Sequence, residues 1–272
     1  MRFISSGRHH AVFEFGDLRV VSLRDGYIDM PPSRLRDEEG CALAELPAVV
    51  PLTGDNLRLA VNAFFVTDGT RSVLVDTGGS NAWHDPTMGL IYDALAEAGV
   101  DRAHITDVAI THRHIDHVGG LIAPDGSEAF ARLERVWIGA GDISVFTGRL
   151  APIRDRVVVV SEQVAINDWL TAVPTPGHTP GHTVYEVSSG LGRLLAWGDT
   201  VHVPALQFDR PNVAWEYDGD QSQARTARAA LLEQLTRPHH FVAGAHLDSP
   251  GIGRITPSGA GYALEYLAPP IG

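Results

Sequence analysis

The sequence predicts a mixed α/β protein in which two β-sheets pack face to face with helices on their outer faces. Two observations predict it. Short apolar runs rich in β-branched residues come first in pairs around glycine turns, then alternate with helical periodicity, and the same succession recurs in the second half. The composition supports a core of that kind, since 44% of the 272 residues are hydrophobic and only 20% are charged. We take residues 1–272 as a single domain.

The elements follow in order. Residues 11–15 and 18–23 read as two strands around Gly16 and Asp17. From Gly26 to Leu59 the pattern fades. Pro31, Pro32, Pro47 and Pro51 interrupt it, and Asp37, Glu38 and Glu39 cluster there. Such a segment is either a solvated connection or, inside a compact domain, a lid or substrate loop; residues 26–59 are read as the lid. Residues 63–66 and 72–76 form a hairpin across Asp68 and Gly69. Residues 88–98 carry Leu90, Ile91, Ala94, Leu95 and Ala98 at helical spacing, with Gly99 as the stop. Val108, Ala109 and Ile110 form a short buried strand, and residues 118–121 open a helix packed closely on the sheet. Residues 135–138 are a strand and 141–148 a short helix. Residues 157–160 and 170–173 are strands, and 184–187 with 194–197 form a second hairpin. Residues 220–236 are the clearest helix, capped by Asp218 or Asp220. Residues 241–243 form a final core strand that ends at His246.

Charge and cysteine content narrow the function. The net charge of −12 argues against nucleic acid and against an anionic membrane surface as partners. Cys41 is the only cysteine, so no intrachain disulfide forms. Residues 1–17 contain no long apolar run, so neither a secretory signal nor a membrane span is expected there. A cytoplasmic location is the default expectation.

One stretch concentrates chemistry. Thr111 to Gly120 holds His112, His114, Asp116 and His117 just after the buried strand. On an extended backbone His112 and His114 point the same way, while the adjacent Asp116 and His117 diverge. A single loop then offers two nitrogens to one ion and an oxygen plus a nitrogen to a second. A lone histidine is usually a surface or hydrogen-bonded core residue. Three histidines and an aspartate within six residues gain nothing from packing and read as a metal cluster.

This motif resembles the His-x-His-x-Asp-His signature of the metallo-β-lactamase superfamily. Four further blocks resemble it in the right order: the strand ending in Asp76-Thr77-Gly78, the loop Thr175 to His182, Gly198-Asp199, and Gly244-Ala245-His246. The resemblance implies an αββα four-layer sandwich with the site at one edge. It implies that His112, His114 and His178 hold one divalent ion, that Asp116, His117 and His246 hold another, and that Asp199 bridges them. Nitrogen and oxygen donors without thiolate suit zinc first, and also manganese, iron or cobalt. Two ions about 3.5–4 Å apart share a water and lower its pKa toward about 7, giving a hydroxide nucleophile. Two dications against Asp116, Asp199 and that hydroxide leave the centre net positive, which suits an anionic transition state. Asp76 is expected to hold the metal loop by hydrogen bonds, and His182 to be structural or to support a ligand. His9, His10, His84, His104, His239 and His240 are read as ordinary histidines.

Asp116 and His202 are the candidate catalytic residues. Acyl-homoserine lactonases of the superfamily usually carry a tyrosine three residues after the bridging aspartate. Here that position is His202, and residues 197–208 resemble the branch of methyl parathion hydrolase and related aryl-ester and lactone hydrolases. His202 either donates a hydrogen bond to a carbonyl or phosphoryl oxygen or is a buried structural residue. The expected activity is hydrolysis of small neutral esters or lactones, extending to phosphotriesters. An acyl-homoserine lactonase and, in another class, a mononuclear iron oxygenase on the same fold are the alternatives. The pocket is expected to be walled by the 26–59 segment and by aromatics such as Phe146 and Phe208. Sequence does not choose between a monomer and a homodimer.

Overall fold

The computed structural model describes residues 1–83 and 86–271. Its strands begin with β1 (Arg2–Ser6), β2 (His10–Phe15), β3 (Leu18–Met30), β4 (Leu35–Arg36) and β5 (Leu57–Thr67). They continue through β6 (Ser72–Val75), β7 (Asp107–Ala109), β8 (Arg135–Gly139), β9 (Val157–Val160), β10 (Val164–Ala165) and β11 (Leu170–Pro174). The last are β12 (Thr183–Ser189), β13 (Gly192–Ala196), β14 (Ala214–Trp215), β15 (His240–Ala243), β16 (Ile252–Ser258) and β17 (Gly261–Tyr266). The α-helices are α1 (Ile91–Glu97), α2 (Ile115–Val118), α3 (Pro204–Gln207) and α4 (Gln221–Leu235).

Two large mixed sheets form the molecule. One has the order β1-β2-β3-β5-β6-β7-β8-β9, and the other β10-β11-β12-β13-β15-β16-β17. β6, β7, β8 and β9 pair in parallel, as do β13 and β15; the remaining neighbours are antiparallel. Between the sheets, Phe13, Phe64, Val73 and Ala109 meet Leu170, Tyr185, Leu194 and Phe241 in one buried cluster. The outer face of the first sheet buries Ile91, Ala94 and Leu95 of α1. The outer face of the second buries Leu231, Leu232 and Leu235 of α4. The result is the four-layer arrangement of helix, sheet, sheet and helix.

Several elements differ from the sequence reading. β3 and β5 run into the segment taken as loop, and their ladder continues as far as Met30 opposite Leu57. The alternation of Tyr27, Ile28, Asp29 and Met30 carries that strand signal, but the glycine before it and the prolines after it mask it. Two strands, β16 and β17, follow His246, so residues 241–243 are not the last. Like β1, β17 is an edge strand that buries few residues, and its apolar pattern is correspondingly weak. The short helix expected over 141–148 is a pair of 3₁₀ segments, Ala140–Val145 and Gly148–Arg156. The helix expected over 88–98 is confined to Ile91–Glu97, and the metal loop enters α2 at Ile115, earlier than the expected start at Val118. After α2, Gly119 and Gly120 form a 3₁₀ turn against the Thr77–Gly79 backbone. A Cβ on Gly120 would stand 2.0 Å from the Thr77 carbonyl oxygen, so only glycine permits that approach.

Candidate metal centre

The seven candidate ligands are set at the C-terminal ends of strands along one edge of the sandwich. His112, His114, Asp116 and His117 follow β7, His178 follows β11, Asp199 follows β13 and His246 follows β15. The structure brings all seven together as two groups that share Asp199.

In the first group, His114 Nδ1 lies 2.9 Å from His112 Nε2 and 3.0 Å from His178 Nε2. Asp199 Oδ2 stands 3.3 Å from His178 Nε2 and 3.6 Å from His112 Nε2. In the second, His117 Nε2 is 3.1 Å from Asp199 Oδ1 and 3.5 Å from Asp116 Oδ2. His246 Nε2 is 3.1 Å from Asp199 Oδ2 and 3.6 Å from Asp116 Oδ2. A tetrahedral shell with bonds of about 2.1 Å holds its donors roughly 3.4 Å from one another. These spacings match it.

The outer ring nitrogens show which atoms are free to ligate. His117 Nδ1 donates to Asp76 Oδ2 at 2.8 Å, and His178 Nδ1 to Asp218 Oδ1 at 2.7 Å. His246 Nδ1 donates to the Ala60 carbonyl at 2.7 Å. The Thr111 hydroxyl donates to Asp76 Oδ2 and accepts from His112 Nδ1 at 3.1 Å. Each of these four rings therefore presents the lone pair of Nε2 to the cluster. His117 Nε2 and Asp199 Oδ1 are buried without a hydrogen-bond partner in the protein, a cost that a cation between them removes. The donor set fits divalent metal.

Electrostatics point the same way. Burial works against a charge on Asp199, yet His246, His117 and His112 hold its carboxyl well below the usual carboxylate range. Burial also opposes ionisation of Asp116, and His117 beside it outweighs that and holds the carboxyl at about 2. The His178 ring is held up at about 9 because Asp199 and Asp218 outweigh its burial. Burial, with His178 nearby, pushes His114 down to about 4. Against their burial, Asp199 and its neighbouring carboxylates likewise hold His117 and His246 above the usual imidazole range, so without a metal the ring protons balance the buried carboxylates, a place that a divalent cation takes.

Asp76 occupies the role expected of it, since its carboxylate also accepts from the Thr111 backbone N–H at 2.7 Å. His182 accepts from the Asp199 backbone N–H at 3.2 Å and supports the bridge. The remaining described histidines stay outside both groups; His84 lies outside the described residues. Sequence reasoning missed Asp218 by treating it as a cap. Asp220 caps α4 by accepting from Gln223 N–H, whereas buried Asp218 turns to His178 and to the Trp215 backbone N–H. It also missed Asp142, which accepts from Arg113 N–H and the Thr179 hydroxyl and so ties the metal loop to the His178 loop. The one signal for either was an acid beside a glycine near a motif, which a turn explains equally well.

A cavity of about 280 Å³ opens over His114, Asp116, His178, Asp199 and His246. Ile28, Met30 and Leu59 of the β3–β5 ribbon form one wall, and Trp83, Trp215 and Tyr217 another. Phe146 and Phe208 do not line it. Phe146 is buried in the core under α1, and Phe208 stacks on Trp197 under α4. Phe146 ends the first 3₁₀ segment and Phe208 ends α3, and both rings pack into the outer cores. His202 lines the cavity, its ring stacked 5.0 Å from Trp215 and 5.2 Å from His246. Its Nε2 is 3.2 Å from Asp199 Oδ2, yet neither ring nitrogen makes a hydrogen bond. Burial pushes the ring down to about 4, so it is neutral.

Known proteins share this architecture. The dizinc quorum-quenching lactonase AidC, solved with a product, superposes with a TM-score of 0.85 at 22% identity over 95% of this chain and 97% of that one. The hydrolase AbOPH of the β-lactamase superfamily superposes with a TM-score of 0.83 at 22% identity over 97% and 99%. Beta-lactamase-like protein 2 homolog of Drosophila melanogaster is 26% identical over 166 residues, which are 54% of this chain. The chain spans about half the length of that relative, 54%. A sequence model of the Metallo-beta-lactamase superfamily matches residues 57–246. Matched from the first residue of the β5 wall to the last candidate ligand, the chain belongs to the metallo-β-lactamase superfamily.

Proposed function

We propose that the protein is a dinuclear metal-dependent hydrolase of small neutral esters or lactones. The observation that supports it most is the pair of four-donor groups sharing Asp199 at the floor of an apolar cavity. His112, His114 and His178 would hold one divalent ion, Asp116, His117 and His246 the other, and Asp199 both, with zinc the first choice. When bound, the ions supply a water of lowered pKa and polarise the substrate oxygen.

The chain supplies the rest. Trp83, Trp215 and Tyr217 with the β3–β5 wall seat an uncharged acyl or aryl group and exclude water. The neutral ring of His202, which lines the cavity and whose Nε2 lies beside the shared Asp199, donates to the developing oxyanion. Ionised Asp116 faces the same cavity and would take the hydroxyl proton of the tetrahedral adduct and pass it to the alkoxide or aryloxide oxygen that leaves as the adduct collapses. No lysine or arginine lines the cavity among the described residues, which favours neutral esters, lactones and triesters over phosphomonoesters. His202 in place of tyrosine supports the aryl-ester and methyl parathion hydrolase branch over the acyl-homoserine lactonases. We treat residues 1–272 as one cytoplasmic domain with 26–59 as its lid and with no nucleic-acid or membrane partner. Replacing residues 40–52 by a short flexible linker should then raise KM for bulky esters more than it changes kcat; an unchanged KM would remove the lid.

The decisive experiment is a substrate panel on metal-loaded protein: p-nitrophenyl esters, dihydrocoumarin, an acyl-homoserine lactone, a paraoxon-type triester and a cephalosporin. Aryl esters or dihydrocoumarin should lead, with about two divalent ions per chain and activity lost to chelator. A wide lead for the cephalosporin, or full activity with one iron, overturns the reading. His202→Ala should lower kcat/KM for the best ester roughly 10- to 1,000-fold; a variant that turns it over normally makes His202 structural.

A further inference from the structure

Behind the β3–β5 ribbon lies a second cavity of about 380 Å³. The ribbon separates it from the candidate metal centre by strand alternation: Ile28 and Leu59 face the centre, while Tyr27, Arg58 and Ala60 face this cavity. Ala268, Pro270 and Ile271 close its other side.

Its charges are unusual for a chain carrying −12. Arg58 stacks over Tyr27 with its guanidinium carbon 3.8 Å from the ring centroid, and its Nε and Nη2 donate to Asp29, each at 2.8 Å. Its Nη1 remains uncommitted among the described residues. Asp248, the acid that lines this cavity, accepts from the Tyr266 hydroxyl at 3.1 Å. Arg24 is different. Its guanidinium is half-buried and makes no hydrogen bond or ion pair among the described residues, while its backbone N–H bonds to His9. Burial pulls Arg24 below its ordinary range; Tyr27 opposes this and the Arg58 charge adds to it. A half-buried cation facing another cation in a concave site is costly without a counter-ion.

We propose that this cavity is a binding site for a small organic carboxylate, held by Arg24 and the free edge of Arg58. A planar carboxylate matches the guanidinium fork. The alanine, proline and isoleucine lining favours a compact apolar body behind the charge, and Asp248 disfavours a dianion such as phosphate. The floor of the cavity connects to the metal edge. Ala60 lines it and its carbonyl holds His246, while Ser249, also in the lining, donates to Asn62, whose amide binds the carbonyls of Gly244, Ala245 and Leu247.

The probe is 4-fluorobenzoate, followed by fluorine NMR on the full metal-loaded chain. Wild type should show saturable binding that survives chelation of the metal, and inorganic phosphate should compete more weakly than benzoate. Arg24→Gln should weaken that binding at least about tenfold, and Arg24→Lys, which keeps the charge but loses the planar fork, should recover only part of that loss. Because the substitution removes an unpaired half-buried charge, Arg24→Gln should melt within about 2 °C of wild type or higher. Binding that vanishes with the metal and is unchanged in Arg24→Gln places the anion at the metal centre and overturns the proposal. So does absence of binding, or a large loss of thermal stability in Arg24→Gln without loss of affinity.

Discussion

The two ligand groups share Asp199 and differ in how their charges are backed. The first, His112, His114 and His178, has no carboxylate of its own beyond the bridge; its direct acidic support is Asp218 behind His178, and Asp76 reaches His112 only through the Thr111 hydroxyl. The second owns Asp116 and has Asp76 behind His117. The second is also more enclosed, since all its members are buried while His114 of the first is partly exposed to the cavity. One site is thus built as a tight anionic cage and the other as a more neutral, more open one. The difference teaches that the short motif sets ligand type and that remote carboxylates set the strength of each half. The expected consequence is unequal metal affinity, with the second group filling first.

Removing the shared member should have the largest effect. Asp199→Ala should lose at least one metal and most of kcat, a larger loss than the ~10–100-fold expected for outer partners. Elemental analysis and steady-state kinetics check it, and activity within a few-fold of wild type would mean that the bridge is elsewhere.

Removing the outer carboxylates one at a time should separate the halves. Asp76→Asn and Asp218→Asn should each weaken one metal by roughly 10–100-fold. Stepwise titration of metal-free protein, followed by native mass spectrometry, should show the tighter step affected by Asp76→Asn and the weaker step by Asp218→Asn. If both substitutions act on the same step, the two halves are not independently backed. A collapse of kcat in Asp76→Asn at unchanged affinity would instead make Asp76 part of the chemistry.

The smallest effect belongs to a carboxylate outside both groups. Glu97 accepts from the backbone N–H groups of Arg8 and His9, each at 2.8 Å, and these with His10 hold its carboxyl at about 2. A depressed carboxylate means that the folded state binds fewer protons than the unfolded one. Its contribution is full above the unfolded pKa of about 4.5 and fades as pH falls toward 2. Glu97→Gln should therefore lower thermal stability slightly at pH 7, with the gap to wild type narrowing below about pH 4.5 and closing only near pH 2. Metal content should not move. A change in metal content would show that carboxylates act on the centre at long range and would blunt the contrast between its halves.

The fold was legible where apolar alternation or helical spacing is strong. Residues 11–15, 184–187 and 194–197 pair as expected, and α4 starts and ends within a residue of its expected bounds. Edge strands escaped because half-buried strands need few apolar residues, as in β1 and β17. The continuation of β3 and β5 escaped because its alternation is short and flanked by glycine and prolines.

The sequence by itself determined which side chains gather at the centre. Imidazole and carboxylate at His-x-His-x-Asp-His spacing have little use except to share a cation, and the other ligands stand within two residues of a glycine at strand ends. Only the tertiary structure decided what stands behind those ligands and what walls the cavity. Asp76 was expected at the metal loop from its motif, but Asp218 lies 40 residues from His178 and the Ala60 carbonyl 186 residues from His246, and neither was legible. Phe146 and Phe208 turned outward while Trp83, Trp215 and Tyr217 turned in. Ligand identity is a local property of side-chain chemistry. Hydrogen-bond partners and cavity walls depend on which strand ends the two sheets bring side by side, and no spacing along the chain encodes that.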